Sequence, residues 1–192
     1  MPESPRKNPK AGAAASPRGG RAPAFRILGI DPGLASLGWG LVEAREGRLH
    51  HLAHGLIETD KAEELGDRLL AISLGIEELL AEWKPEAAGM ESLFFGKNVT
   101  SALPVAEARG VIRLAFRRAE VPLFDYSPTA IKQAVVGSSR ADKEQVQAMV
   151  KLLLGLAETP KPDHAADALA AAICRWHHAG PLSAPPPPRK TK

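Results

Sequence analysis

Two short apolar runs in this chain each end on a carboxylate, and a late alanine-rich segment opens with acids and a histidine. Arg26-Ile27-Leu28-Gly29-Ile30 runs into Asp31, and Ala87-Ala88-Gly89-Met90 runs into Glu91. Asp163-His164-Ala165-Ala166-Asp167-Ala168-Leu169-Ala170 begins a helical pattern. A carboxylate at the end of a buried strand is costly unless something positive pairs with it. Two strand ends and one helix start could converge on one point in an α/β fold. Mg²⁺ or Mn²⁺ would supply the charge there.

The rest of the pattern is consistent with such a fold. Arg26–Ile30, Leu37–Glu43 and His50–Glu58 read as three strands joined by short turns, an antiparallel meander. Asp60 with Glu63 three residues on forms a capping-box start for a helix to about Trp83, which Pro85 ends. Ala87–Glu91 is the next strand, followed by a helix from about Asn98 to Ala119 and the strand Val121–Tyr126. Pro128 starts a short helix ending near Gly137, and Asp142, with Gln145 at the box position, caps another to Leu154. The last helix runs from about Asp163 to His178. Three meander strands followed by alternating helices and strands predict an α/β fold. Its five-stranded mixed sheet is flanked by helices, the ribonuclease H-like layout. The fold alone decides no function.

Charge has to be divided by region. The net +3 of the 192 residues includes Arg6, Lys7, Lys10, Arg18 and Arg21 against Glu3 alone in residues 1–24. Beyond Gly180 come Arg189, Lys190 and Lys192, which leaves 17 basic against 21 acidic residues, a net −4, for the intervening domain. Bulk charge therefore does not argue for nucleic-acid binding; a local basic surface and a cation at the acidic site are needed. Residues 1–24, basic and without periodicity, and residues 181–192, Pro- and Lys-rich, are expected to be disordered tails around one domain at 25–180. No apolar run approaches the roughly 20 residues of a membrane span. Without a signal-peptide core, and with Cys174 as its one cysteine, the chain is expected to be cytoplasmic.

Each motif has an ordinary reading beside the functional one. Asp31-Pro32-Gly33 places an acid at the carboxyl end of a strand, where open α/β sheets carry their sites, but Asp-Pro-Gly is also a common turn. Glu91-Ser92-Leu93-Phe94-Phe95 is either a solvated strand end beside core aromatics or a carboxylate beside a base-stacking Phe. Lys97 and Asn98 follow at once and suit a phosphate. His164 and Asp167 stand at i and i+3 on one helical face, although Asp163 as N-cap and Asp167 on the helix dipole would explain the acids equally. Arg109, Arg113 and Arg117 share one side of a helix, either a DNA contact or a solvated or dimer-edge face. Lys132, Arg140 and Lys143 surround a loop that could follow a DNA backbone.

Taken together, the motifs resemble the RuvC family of Holliday-junction resolvases. The resemblance is carried by Leu28-Gly29-Ile30-Asp31-Pro32-Gly33, Glu91-Ser92-Leu93-Phe94, Ala108-Arg109-Gly110, Gln133-Ala134-Val135-Val136-Gly137 and His164-Ala165-Ala166-Asp167-Ala168-Leu169-Ala170, in the family's order over residues 26–178. It implies a homodimeric endonuclease that nicks two opposed strands of a four-way DNA junction in recombination and repair, with the branch-migration proteins RuvA and RuvB as partners. Asp31, Glu91 and Asp167 match family catalytic carboxylates, and His164 occupies a position that holds Asp in some members and His in others. Phe94 matches an aromatic placed near the junction bases, while Lys132 and Lys143 match basic positions near the scissile strand.

The implied chemistry is in-line attack of water on a phosphodiester. Two divalent ions would be held by Asp31, Glu91, His164 and Asp167, and Lys143 would steady the developing phosphorane charge. An imidazole ligand leads us to expect Mn²⁺ to serve better than Mg²⁺. The competing expectations are another nuclease on the same fold, such as a ribonuclease, and a catalytically silent junction-binding module. A nucleotide-dependent kinase or ATPase would need a second copy of the domain, for which the chain is too short.

Overall fold

The computed structural model describes residues 24–93 and 99–179. Its elements are β1 (Phe25–Asp31), β2 (Ser36–Arg45), β3 (Arg48–Glu58), α1 (Leu65–Trp83), β4 (Ala87–Glu91), α2 (Val99–Arg118), β5 (Leu123–Tyr126), α3 (Pro128–Val136), α4 (Lys143–Leu154) and α5 (Asp163–Ala179). The sheet order is β3-β2-β1-β4-β5. The first three strands pair antiparallel, and β4 and β5 add parallel to β1, which is the five-stranded mixed sheet that the sequence predicts.

Alternation along β1 sorts its side chains between two cores. Leu28 and Ile30 pack with Ile72, Ile76, Ile112 and Phe116 under α1 and α2. Ile27 points the other way, into a core of α3, α4 and α5 with Val135, Val150, Leu169 and Ile173. By the same period of two, Gly29 and Asp31 share the face that α5 covers. Leu169 and Ile173 are fully buried there, each contributing roughly 1.5–3 kcal/mol.

What distinguishes that face where α5 crosses it is a patch of glycine. A Cβ on Gly29 would lie 1.8 Å from the Ala168 carbonyl oxygen, one on Gly38 2.1 Å from the His164 oxygen, and one on Gly89 2.5 Å from the Ala171 oxygen. On Gly40 it would meet Leu169 at 2.6 Å. Glycines on β1, β2 and β4 thus meet a helix whose buried side is largely alanine, and the helix backbone lies almost on the sheet. This close approach brings the first turn of α5 to the strand ends that carry Asp31 and Glu91.

Two helix starts differ in an instructive way. At α4 the box forms as expected: Gln145 N–H donates to Asp142 Oδ1 at 2.8 Å, and Asp142 N–H to Gln145 Oε1 at 3.0 Å. Such a cap contributes about 1 kcal/mol and fixes Lys143 as the first residue of the helix. The box expected at Asp60 does not form. Its carboxylate accepts from Ala62 N–H at 2.9 Å in a turn, and α1 begins at Leu65 with no side-chain cap at Glu64. Residues 61–64 are all exposed, so a helix there would bury nothing.

Candidate active site and metal centre

Asp31 ends β1, and the parallel register Ile30↔Met90 puts Glu91 beside it on β4. On the other side, the antiparallel register pairs Asp31 with Gly38, the glycine over which His164 sits. Three residues on, one turn along α5, Asp167 completes the group. Donor atoms of Asp31, His164 and Asp167 all lie within 4.8 Å of one another, and His164 Nδ1 is 2.7 Å from Asp31 Oδ2. Glu91 stands next to this trio on the sheet rather than within it.

Lys143 approaches from α4, its Nζ 3.2 Å from Asp167 Oδ2 and 3.0 Å from Asp163 Oδ2. Gln147, one turn further along α4, donates to the other oxygen of Asp163 at 3.2 Å. Asp163 therefore spends its carboxylate across the α4–α5 gap instead of capping its own helix. The N–H groups of Ala165 and Ala166 use the Pro162 carbonyl.

The electrostatics report a shortage of positive charge. Burial pushes the Glu91 carboxyl up to about 7, with the charges of Asp31 and Asp167 adding to the effect and those of Arg109 and Lys132 opposing it. Burial also raises Asp31, and Asp167 adds to that while the hydrogen bond from His164 works against it. Lys143 is raised although burial opposes it, because Asp163 and Asp167 hold its ammonium. Two carboxylates and an imidazole converging on one point, with a third carboxylate alongside, fit a divalent cation, and the oxygen majority favours a hard one. The fit rests on donor spacing and on the charge deficit together.

The remaining expected residues fall in different places. Lys132, half-buried on α3, lies close enough for its charge to act on Glu91, and Arg140 is exposed in the α3–α4 connection. Phe94, Lys97 and Asn98 lie outside the described residues, as do both tails. Arg109 is a correction. Expected at a DNA surface, it is only 7% exposed, donates to the Glu91 carbonyl, and pairs with Asp125 at 2.5 Å. Arg113 also pairs with Asp125 at 2.5 Å, and Arg117 stays exposed. Among the described residues, both amino groups of Arg109 are engaged within the protein, with the Glu91 carbonyl and with Asp125.

Sequence reasoning missed Gly38 and Asp125. Gly38 had a usable signal, because glycines alternating through Leu37-Gly38-Trp39-Gly40 in a strand mark a close backbone approach. Asp125, in the short strand Leu-Phe-Asp-Tyr, had none beyond being an acid among apolar residues.

Comparison with known proteins fits this geometry. A family model described as crossover junction endodeoxyribonuclease RuvC matches residues 27–175. The protein of that name from Chloroflexus aggregans is 49% identical over 158 residues, covering 82% of this chain and 96% of the relative. That of Moorella thermoacetica is 52% identical over 148 residues, covering 77% and 89%. Among solved structures, Thermus thermophilus RuvC in complex with Holliday junction substrate aligns with a TM-score of 0.78 and 36% identity, covering 81% of this chain and 94% of the other. The yeast mitochondrial Holliday junction resolvase Ydc2 shares the fold at a TM-score of 0.58 and 15% identity, over 80% and 81% of the two chains.

Proposed function

The chain belongs to the RuvC family of crossover junction endodeoxyribonucleases, and we propose that it resolves four-way DNA junctions by divalent-metal-dependent phosphodiester hydrolysis at the Asp31–Glu91–His164–Asp167 site. The observation that carries this reading is the convergence of Asp31, His164 and Asp167 within 4.8 Å at the carboxyl ends of the strands.

Asp31, His164 and Asp167 would hold one ion; Asp31, shared with Glu91, would hold a second. When bound, the ions stabilise charge on the attacking and leaving oxygens of the in-line displacement. The protein's own groups do the rest. Burial pushes Glu91 up to about 7 and shifts Asp31 in the same direction, and a bound cation would favour the ionised form of both. Lys143 keeps an ammonium at the mouth of the site, where it faces the charge that builds on the phosphate. Lys132 and Arg140, with Phe94, Lys97 and Asn98 on the segment after Glu91, would line the DNA path. His164 supplies a nitrogen that Mn²⁺ accepts more readily than Mg²⁺ does, so Mn²⁺ is the better ion for this chain.

Paired cuts on opposed strands need two sites related by a two-fold axis, hence a homodimer. Its support is apolar: Leu70 and Leu74 on α1, and Leu103 and Leu114 on α2, are large and exposed, and the two helices pack together. Cytoplasmic location and docking with RuvA and RuvB belong to the same reading; among the described residues no helix is long and apolar enough to cross a membrane. The test is substitution at the site. Asp31→Asn and Asp167→Asn should bind a synthetic four-way junction and fail to cut it; cutting by both variants would remove the site from the chemistry.

A further inference from the structure

We infer that Arg109 is a positioning residue for Glu91: it acts through the main chain of the strand end and not by touching DNA. The inference rests on the catalytic role proposed for Glu91 and adds a residue to it.

The geometry starts from where the guanidinium is. Arg109 leaves α2 and turns inward under the open end of the sheet, where one of its amino groups donates to the Glu91 carbonyl. The other meets Asp125 Oδ1 at 2.5 Å. Asp125 lies on β5 directly opposite Met90, the residue before Glu91. Its second oxygen takes Arg113 at 2.5 Å, so the carboxylate that holds Arg109 is itself held from the same helix. Just beyond, Ser92 N–H donates to the Tyr126 carbonyl at 2.8 Å and closes the parallel ladder. Three elements are thus fastened at the residue where β4 ends and its carboxylate must be aimed.

This placement has a chemical reason. Glu91 is the one member of the acidic group outside the 4.8 Å trio, and no side-chain hydrogen bond fixes its carboxylate among the described residues. The Arg109 hydrogen bond to its carbonyl acts on that carboxylate through the backbone. Among the described residues the ladder ends at Ser92, whose N–H donates to the Tyr126 carbonyl. A planar, always-charged fork with two acceptors at a fixed angle fastens the strand end there. Lysine, a single point of charge, cannot reach the carbonyl and Asp125 in the same way. The guanidinium also brings a positive charge to a place crowded with carboxylates without occupying the cation position itself.

The experiment uses the full-length protein and a synthetic four-way junction. Arg109→Lys, Arg109→Gln and Asp125→Asn are compared with wild type in three readouts. These are the single-turnover cleavage rate at saturating enzyme, the Mn²⁺ concentration giving half that rate, and junction affinity against salt concentration in Ca²⁺. Positioning predicts that Arg109→Lys lowers the saturated rate by about 10- to 100-fold and raises the half-saturating Mn²⁺, as loss of a partner behind a metal ligand does. Junction affinity and its salt dependence stay within about two-fold of wild type. Asp125→Asn falls between, and combining it with Arg109→Lys adds little. Should Arg109→Gln not fold, Arg109→Lys and Asp125→Asn carry the test alone, assayed well below their melting temperatures. A wild-type saturated rate in Arg109→Lys overturns the inference. So does a loss of junction affinity with a shallower salt slope, because that is the mark of a phosphate contact. Glu91→Gln serves as reference: if it still cuts, the reading of Glu91 fails first, whereas a dead Glu91→Gln beside a normal Arg109→Lys overturns the positioning inference only.

Discussion

Replacing Gly38 by alanine adds one methyl group at the point where the active site is assembled. Its Cβ would sit 2.1 Å from the His164 carbonyl oxygen, 2.4 Å from the carbonyl carbon and 2.9 Å from the His164 Cβ. Ordinary contact begins near 3.4 Å, so the first turn of α5 has to retreat by about 1.3 Å. Lifting the helix as a whole would also give up its close packing over Gly29 and Gly89 at Ala168 and Ala171. The helix tilts instead, and the 2.7 Å contact between His164 and Asp31 opens. Overpacking of this kind costs about 1–3 kcal/mol, or roughly 2–12 °C in a domain of this size. The larger effect falls on the chemistry, because a displacement of about 1 Å in a reacting group costs on the order of 100-fold. Metal binding to protein stripped of cations, followed by calorimetry, and single-turnover junction cleavage read the two effects separately. Gly40→Ala is the comparison: it meets the Leu169 side chain at 2.6 Å and its backbone nitrogen at 2.9 Å, so it should lower stability comparably but weaken metal binding less than Gly38→Ala. Wild-type metal affinity and cleavage rate in Gly38→Ala would refute the claim that the glycine contact sets the site.

Glu91 predicts an inverted pH dependence for the metal-free protein. Its carboxyl stands at about 7 in the fold against 4.5 unperturbed, so the folded state holds a proton that the unfolded state has released. Stability is present below about pH 4.5 and is lost as pH rises through about 7. The interval corresponds to roughly 3 kcal/mol, reduced to about 1–2 by solvent at the open side of the site. In EDTA, Glu91→Gln should therefore melt higher than wild type at pH 8 but not at pH 4.5; a lower melting point at pH 8 would count against the charge deficit. Lys143→Ala should change stability by less than about 1 kcal/mol, because its ammonium is half-exposed and its pair with Asp163 is open to solvent, yet slow cleavage by about 100-fold. Equal losses in folding and rate would make it a merely structural lysine. His164→Asp should narrow the advantage of Mn²⁺ over Mg²⁺ in a full titration, and equal wild-type activity with both ions would leave no advantage to narrow.

The parts of this protein legible in its sequence are those set by local rules. Strand β4 and helix α4 end where the pattern places them, because a short apolar run and the Asp142–Gln145 box are properties of neighbouring residues. The same pattern at Asp60 misleads, since a box holds a helix only where the following residues have a face to bury. Asp31, His164 and Asp167 could be brought together on paper by topology. Arg109 could not be placed so, because one helical face of arginines looks alike whether it meets solvent, DNA or a strand end. Asp125 is what decides it, and the pairing of Asp125 with Arg109 and Arg113 is purely tertiary. Likewise, glycine in β2 signals a close approach, but only the folded chain says that the approaching group is His164.

The most direct test of the account is cleavage of a synthetic mobile four-way junction in Mn²⁺ and in Mg²⁺, beside linear duplex and an RNA–DNA hybrid. Paired, symmetric nicks in the junction alone, faster in Mn²⁺ and abolished by Asp31→Asn, are the predicted result. Cutting of the hybrid in preference to the junction, or junction binding without cuts in either ion, would contradict it.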